Sequence, residues 1–497
     1  MQPLPTLIHS TATVRAADRY AIEVLGIRGY QLMSRAGEAA LGALRAQWPL
    51  ARRVLVLCGP GNNGGDGYVL ARYARAAGLA VTLAAPAGPP VGPDARLAFD
   101  EWTDAGGTLE PWSEALLGRA DLVVDALLGT GLARAVEGTL ARVIEALNAA
   151  GRPVMALDTP SGLDTETGQP LGIAVRATLT IAFVGLKPGF FLGRGPEYVG
   201  RLACDDLDVP PAAFGGAEGV LRRITEAELK RALPRRARTA HKGDNGRVLV
   251  IGGGPGMAGA ARLAGEAALR AGAGLVTLAT APAHAAVLAA ARPELIAIGI
   301  EAADALAPLL EAADVVAIGP GLGRSAWSQA LLDAAFASAK PLIVDADALN
   351  LLAERPRTRS TWCLTPHPGE AARLLGSTTA AVEADRLGSA RALADRYQAV
   401  AVLKGAGTLI ASGRLAPYLC ERGNPGMAVA GMGDVLTGVI AAIAAQQPDP
   451  AASLNLAAAV GVLVHASAAD LIARQGERGL LASDLLAQLP ACVNPAS

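Results

Sequence analysis

Aromatic side chains are scarce in this chain of 497 residues: Phe, Tyr and Trp together make up 4% of it. Large rings therefore cannot build its interior, and small apolar side chains must. Cysteine is rarer still. Cys58, Cys204, Cys363, Cys420 and Cys492 are scattered without Cys-x-x-Cys spacing. That argues against a zinc site or a disulfide framework and fits a reducing compartment. An excess of either charge is also missing. The formal balance is −1, so no global field draws nucleic acid or an anionic membrane to the chain. No apolar run reaches the ~18 residues of a membrane span. The first twenty residues lack a basic stretch followed by an apolar one, so no signal peptide is expected. These absences predict a cytoplasmic protein with no nucleic-acid or membrane partner.

What is abundant is small and apolar. Hydrophobic residues make up 52% and there are 58 glycines, a composition suited to tightly packed α/β layers with glycine-rich ligand loops. The length allows two or three domains with full cores. From residue 53 onward strand-like and helix-like segments alternate. RVLVL leads into a glycine loop and a helix to about Ala77. Then come AVTLAAP, ADLVVDALLGTG, a helical stretch near 136–149, RPVMALDTPSGLD and ATLTIAFVG. This βαβ series predicts a parallel, doubly wound, Rossmann-like sheet. Residues 210–223 are rich in Pro, Gly and Ala and read as a linker between domains at 1–215 and 222–497. A basic stretch from Arg222 and Arg223 to Arg238 and Lys242 reads as a solvated face, or as help in holding a polyphosphate. GRVLVIGGGPGMAGAARLAGEAALRAGAGLVTLAT then opens a second α/β series.

The first glycine loop, CGPGNNGGDG, spells G-x-G-x-x-G through Gly59, Gly61 and Gly64. Two things that would make it a cofactor site are missing. The second strand ends LAAPAGPP, and the first acid after it is Asp94, so no carboxylate is placed for a ribose. No Gly-Lys-Ser/Thr follows, so it is not a phosphate loop of the Walker type. Asn62, Asn63 and Asp66 remain, at a helix start that favours an anion. Two further strands end in polar loops, one at Asp125 and one at Asp158 and Ser161. Parallel strands converge on one crevice at their C-terminal ends. Asn63, Asp125 and Ser161 offer hard oxygen ligands for an alkali or alkaline-earth cation. An Asp at a strand end also caps helices and closes turns, so each alone decides nothing.

GPGNNGGDG, VVDALLGTG, LDTPSGLDTETG and GLKPG together resemble the NAD(P)H-hydrate epimerase family, the YjeF N-terminal domain, over roughly residues 10–215. The resemblance implies a ligand, NADHX or NADPHX, whose dihydronicotinamide ring is hydrated at C6. It implies ligand contacts at Asn62, Asn63, Gly64, Gly65 and Asp66, along Gly129, Thr130, Gly131, Leu132, Ala133, Arg134 and Ala135, and at Asp158. It implies potassium on Asn63, Asp125 and Ser161. Asp158 is the candidate acid/base and Lys187 the second candidate. Either would serve to invert C6, a hemiaminal carbon whose C–O bond the ring nitrogen helps to break.

In the second half NPGMAVAGMGDVLTGVIAAIAA places Asp434 behind a glycine turn that opens a helix. Backbone amides of Ala430 to Gly433 would stabilise charge on a transferring phosphoryl group, with Asp434 as general base. An ordinary first-turn Asp, favoured by the helix dipole, is the other reading. Lys404-Gly405, IGPGLG, TPHPGE and the tip bearing Asp345 and Asp347 are further turns at strand ends. With HKGDNGRVLVIGG they resemble the ADP-dependent (S)-NAD(P)H-hydrate dehydratase branch of the ribokinase superfamily, over roughly residues 225–490. The resemblance implies a ribokinase-like α/β domain. It implies adenine-nucleotide contacts at Lys404, Gly405, Ala406, Gly407, Thr408 and Gly433, and hydrate contacts at Ala260, Gly321, His367 and Asp434. ADP is the implied phosphoryl donor, Mg2+ the implied ion on its phosphates, and a homo-oligomer the implied assembly. Met432 departs from the pattern, where a smaller residue is usual; pointing inward, it would weaken the anion site. Two other readings stand beside this one: a small-molecule kinase with a regulatory first half, and an assembly role without catalysis for the first half.

Overall fold

The computed structural model describes residues 3–494. They divide into two compact units, Met1–Leu221 and Arg222–Ser497.

In the first unit six strands form one sheet: β1 (Arg53–Cys58), β2 (Ala80–Ala84), β3 (Leu122–Ala126), β4 (Val154–Leu157), β5 (Leu179–Phe183) and β6 (Arg201–Asp205). Their order is β2-β1-β3-β4-β5-β6, and every pairing is parallel. Such a sheet is covered on both faces, so its strands read as continuous apolar runs. The two-residue period still sorts them. Val54, Val56 and Cys58 enter one core, Leu55 and Leu57 the other. Helix α1 (Thr11–Glu23) precedes the sheet, and α2 (Asn62–Ala76) follows β1 directly. The strand order reverses between β1 and β3, where open parallel sheets leave a crevice.

Two of the three fingerprint glycines are explained by packing. A Cβ on Gly59 would meet the Leu127 carbonyl at 1.7 Å, and one on Gly64 would meet the Gly59 carbonyl at 1.9 Å. Gly59 lets the β1 loop close onto the β3 loop, and Gly64 lets the start of α2 close onto the β1 loop.

The second unit carries β7 (Arg247–Ile251), β8 (Leu275–Thr280), β9 (Ile296–Gly299), β10 (Val315–Ile318), β11 (Leu342–Val344), β12 (Trp362–Leu364), β13 (Val400–Leu403), β14 (Thr408–Ala411) and β15 (Tyr418–Cys420). Their order is β9-β8-β7-β10-β11-β12-β13-β14-β15. The strands are parallel from β9 to β13, and β14 alone runs antiparallel to both of its neighbours, β13 and β15. The order reverses between β7 and β10. Helix α3 (Ala258–Arg270) follows β7, α4 (Arg386–Tyr397) precedes β13, and α5 (Met432–Ala445) and α6 (Leu454–Ala473) fill the core.

Residues 210–223, read as a linker, contain the division between the two units; they also hold a 3-10 turn, Pro211–Phe214, with Ala213 buried, and Leu221 is fully buried. The chain also contains a helix long and apolar enough to cross a membrane by length and composition, α6, although two-thirds of its apolar window is buried inside the protein. Asn455, His465, Ser467 and Asp470 interrupt its apolar pattern, which hid it from a search for uninterrupted runs.

Candidate active sites

In the first unit the crevice at the β1/β3 reversal gathers the expected oxygen ligands. Asn63, in the first turn of α2, donates its amide to the Leu128 carbonyl at 3.1 Å. Ser161, after β4, accepts from the Leu128 N–H at 2.8 Å, and its hydroxyl lies 3.1 Å from the same carbonyl. Asp125, at the tip of β3, accepts from the Ser161 hydroxyl at 2.6 Å, from the Ser161 N–H at 2.8 Å and from the Leu127 N–H at 3.2 Å. Asp125 is wholly buried. Burial pushes its carboxyl up to about 6, against the pull of those hydrogen bonds. No cationic side chain pairs with it among the described residues. Asn63 Oδ1 is buried and accepts no hydrogen bond. A buried carboxylate without a counter-charge and an orphaned carbonyl-type oxygen, both beside a serine hydroxyl, fit a hard monovalent cation. Leu128, whose carbonyl ties the three together, was not anticipated, because a backbone oxygen leaves no mark in the sequence.

Asp158 follows β4 with φ of 60°. Its Oδ1 accepts from Lys187 Nζ at 2.5 Å and from the Phe183 N–H at 3.1 Å. Lys187 is 1% exposed and Asp158 19% exposed, so the expected pair of acid/base candidates is one buried ion pair opening on the crevice. Asp66 sits nearby. Burial, then Asp158 and Asp18, push its carboxyl well above the usual range. Gly129 abuts Asn63, where a Cβ would come within 3.2 Å of Asn63 Cβ. Gly64 and Gly65 are buried in packing, whereas Asn62, Gly131, Ala133, Arg134 and Ala135 are exposed and Thr130 and Leu132 half-buried.

In the second unit the core of the site is Asp345, at the tip of β11. It accepts from Lys404 Nζ at 2.8 Å and from the Thr437 hydroxyl at 2.8 Å. Burial opposes its charge, but Lys404 and these hydrogen bonds outweigh burial and hold the carboxyl below its ordinary range. Burial likewise opposes the Lys404 ammonium, and Asp345 and Glu370 (3.9 Å) more than offset it. Lys404 therefore stays charged. Its ammonium lies 3.2 Å, and Asp345 Oδ2 3.3 Å, from where a Cβ of Gly433 would stand, so a side chain there would crowd the ion pair. The first turn of α5 closes with Val435 N–H on the Gly431 carbonyl, leaving the amides before it without intrahelical acceptors. Asp434 stands in that turn. Burial, then Asp345, push its carboxyl up to about 7, with Lys404 pulling the other way.

Residues 404–408 form the tight connection between antiparallel β13 and β14, with Gly405 and Gly407 at φ of 133° and 64°. The Thr408 hydroxyl donates to the Gly405 carbonyl at 2.8 Å. His367 caps the helix Pro368–Leu375, its Nδ1 accepting from the Gly369 N–H at 3.0 Å. Ala260 and Gly321 meet at the β7/β10 reversal, where a Cβ on Gly321 would lie 3.1 Å from Ala260 Cβ. Met432 is 7% exposed and belongs to the hydrophobic core. Its side chain points away from the turn, so the departure from the family pattern leaves the amides clear.

Residues 29–189 match the family model of the YjeF-related protein N-terminus, and residues 248–491 match that of NAD(P)H-hydrate dehydratase. A bifunctional NAD(P)H-hydrate repair enzyme from Coxiella burnetii is 47% identical over 493 residues, covering 99% of this chain and all of that one. The chain belongs to the bifunctional NAD(P)H-hydrate repair enzyme family. The relative of the same name from Escherichia coli K12 is 46% identical over 99% of this chain and 95% of its own length. A ribokinase-like superfamily protein from Enterococcus faecalis is 30% identical with a TM-score of 0.50, over 55% of this chain and 95% of that one. Family membership over the whole length sets aside the kinase reading and the scaffold reading of the first half.

Sequence motifs missed one residue that shapes the second site. Arg386, at the start of α4, is 3% exposed. Its Nη2 donates to the carbonyls of Leu403 and Lys404, at 3.3 and 3.1 Å, and its Nη1 to Glu383 at 2.9 Å. A planar fork of this kind holds two successive carbonyls where an ammonium cannot. Arg386→Ala is expected to raise the KM for ADP roughly tenfold, about 1.4 kcal/mol of binding, with epimerisation unchanged. Initial rates against ADP concentration check this, with Arg386→Lys recovering only part of the loss.

Proposed function

We propose that the first unit interconverts the R and S epimers of NAD(P)HX at the crevice of Asp158 and Lys187. The second unit dehydrates the S epimer to NAD(P)H, with ADP as phosphoryl donor. The reading is carried by one observation: in a chain whose relatives over its full length are repair enzymes, each unit holds a buried carboxylate–lysine pair at strand C-termini facing its ligand loops.

At the first site N1 of the hydrated ring donates its electron pair as the C6–O bond breaks, and the oxygen leaves as water. Water then adds to the opposite face of the C6–N1 iminium. Asp158, oriented by its ion pair with Lys187, accepts the proton released as that bond forms. Asn63, Asp125 and Ser161 are the residues that would hold potassium, which supplies the missing counter-charge and fixes three loops at once.

At the second site Asp434 takes the proton of the C6 hydroxyl, and that oxygen attacks the β-phosphorus of ADP. The bond to the bridging oxygen breaks and AMP departs. The C6 phosphate ester is a far better leaving group than hydroxide. N1 expels it as inorganic phosphate, and loss of a proton from C5 restores the ring double bond. Lys404 and the free amides of α5 stabilise charge on the phosphoryl group in flight. No group of three or more His, Cys, Asp or Glu able to hold a metal ion exists among the described residues. Magnesium would therefore arrive on the nucleotide phosphates rather than in a protein cage. On the family resemblance alone we also read the chain as a cytoplasmic homo-oligomer.

The test is a mixture of hydrate epimers given with ADP, followed by dihydronicotinamide absorbance. Complete recovery is expected. A plateau near the initial S fraction would remove the epimerase, and no recovery with either ADP or ATP would overturn the whole reading.

A further inference from the structure

Helix α1 lies before residue 29, where the match to the family model of the first unit begins, and it carries none of the motifs. Its seating is nevertheless specific. Ser10 caps it, accepting from the Thr13 N–H at 3.1 Å. Thr11 donates its N–H to Glu166 at 2.5 Å and shares a hydroxyl hydrogen bond with Thr165 at 2.8 Å. Both partners belong to the loop that carries Asp158 and Ser161. One turn later Val14 is buried, and its Cγ2 lies 3.3 Å from where a Cβ of Gly185 would be, two residues before Lys187. Arg15 Nη2 lies 3.4 Å from the corresponding point on Gly131, in the ligand loop after β3.

Thr11, Val14, Arg15 and Asp18 follow the three-, four- and seven-residue spacing of one helix face. Contacts along that face reach the loops after β3, β4 and β5. That periodicity turns the next residue on the face, the half-buried Asp18, toward the same loops. The charged groups near enough to act on it are Asp158 and Lys187 from the strand ends and Arg15 and Arg19 from its own helix, and it acts in turn on Asp66 of α2. Unlike Asp158, Asp18 has no cation within ion-pair distance among the described residues.

We infer that Asp18 is a second proton-transfer group of the epimerase site, acting on the face of the ring opposite to Asp158. The inference rests on the first-site reading above. Inversion needs this division of labour. Asp18 gives its proton to the departing C6 oxygen, which leaves as water while N1 donates its pair. Water adds from the other side and gives its proton to Asp158. Proton exchange with solvent resets the pair, and the reverse reaction exchanges the two roles. The environments suit the assignment. Burial and the Asp158 carboxylate push Asp18 up to about 6, while Lys187, Arg15 and Arg19 oppose them. Asp158 is ion-paired and ready to accept.

The experiment measures interconversion of purified epimers by the full chain without ADP, so that the second site is silent. Asp18→Asn is expected to lower kcat about 100-fold with KM little changed. Wild-type kcat should fall as pH rises through about 6, and the variant should lack that fall. Asp18→Glu should recover part of the rate, and dehydration of the S epimer with ADP should be unaffected in both variants. Asp18→Asn with a near wild-type rate overturns the inference, as does a loss confined to KM with the pH profile intact. A wild-type chain that leaves the epimers unchanged overturns the first-site reading itself.

Discussion

Asp434→Asn is expected to lower ADP-dependent dehydration by about 10²- to 10⁴-fold, the range a positioned general base contributes, and to leave epimerisation at the wild-type rate. The substitution keeps the size of the side chain and its place in the first turn of α5. It removes only the ability to take a proton from the C6 hydroxyl. The pH dependence carries the sign. Burial and Asp345 raise the Asp434 carboxyl to about 7, and the base works ionised. Wild-type kcat should therefore climb as pH rises through that region and level off above it. The variant should show a residual rate without the climb. Stability should move the other way or not at all. A carboxyl whose folded pKa is raised costs the folded state stability as pH rises from the unfolded value through about 7, and the cost is full above it, so the amide relieves most there. The checks are S-epimer dehydration with saturating ADP across pH, R-to-S conversion in the same preparation, and a thermal melt. Full ADP-dependent turnover by the variant would remove Asp434 from the chemistry and return it to the status of a first-turn helix residue.

The fold was legible where the chain repeats a local pattern. Apolar runs such as RVLVL and DVVAI, each followed by a glycine turn and a small-residue helix, mark parallel strands and their crossovers. The strand tips named Asp125 and Asp158, and the glycine turn opening a helix named Asp434. What stayed hidden depends on partners far apart in the chain. Asp345 meets Lys404 across 59 residues and Thr437 across 92. No spacing rule announces that the three form one unit. Arg386 looks like one more helix-start arginine until its guanidinium is seen under the Leu403 and Lys404 carbonyls. AVAVLKGAGTLI reads as a single strand end but is an antiparallel pair, because the turn Lys404–Gly407 reverses the chain. Asp18 stayed hidden for a related reason: its role comes from the seating of α1 on three loops, and α1 itself is a plain amphipathic helix. The glycine fingerprint misleads in the opposite direction. Its spacing is that of a dinucleotide site, while Gly59 serves the contact between two loops and Gly64 the close packing of α2 on the first of them.

Asp125→Asn tests the cation, and it separates binding from catalysis. The amide oxygen can still accept from the Ser161 hydroxyl and the Leu127 N–H, which share Oδ1, while the Ser161 N–H loses its acceptor at Oδ2 and the negative charge is gone. Epimerisation is expected to fall at least about tenfold and to lose any dependence on potassium, with dehydration of the S epimer unchanged. A second readout needs no turnover. Folding raises the Asp125 carboxyl from its ordinary value to about 6 through burial. Without a cation, the folded state therefore loses stability as pH rises from the unfolded value through about 6, and the cost persists above it. A cation that binds the ionised carboxylate restores stability by mass action. Potassium should accordingly raise the melting temperature of the wild type at pH 8, much less at pH 5 where Asp125 is protonated, and not at all in Asp125→Asn. In potassium-free buffer the melting temperature of the wild type should fall between pH 5 and pH 8 more than that of the variant, which has no carboxyl to ionise there. Sodium and a bulky organic cation at equal ionic strength control for general screening, which acts weakly on a fully buried group. Equal responses of wild type and variant to potassium would show that Asn63, Asp125 and Ser161 form a hydrogen-bonded corner and no cation site. Asn63 Oδ1, buried without a donor, would then need a bound water to satisfy it.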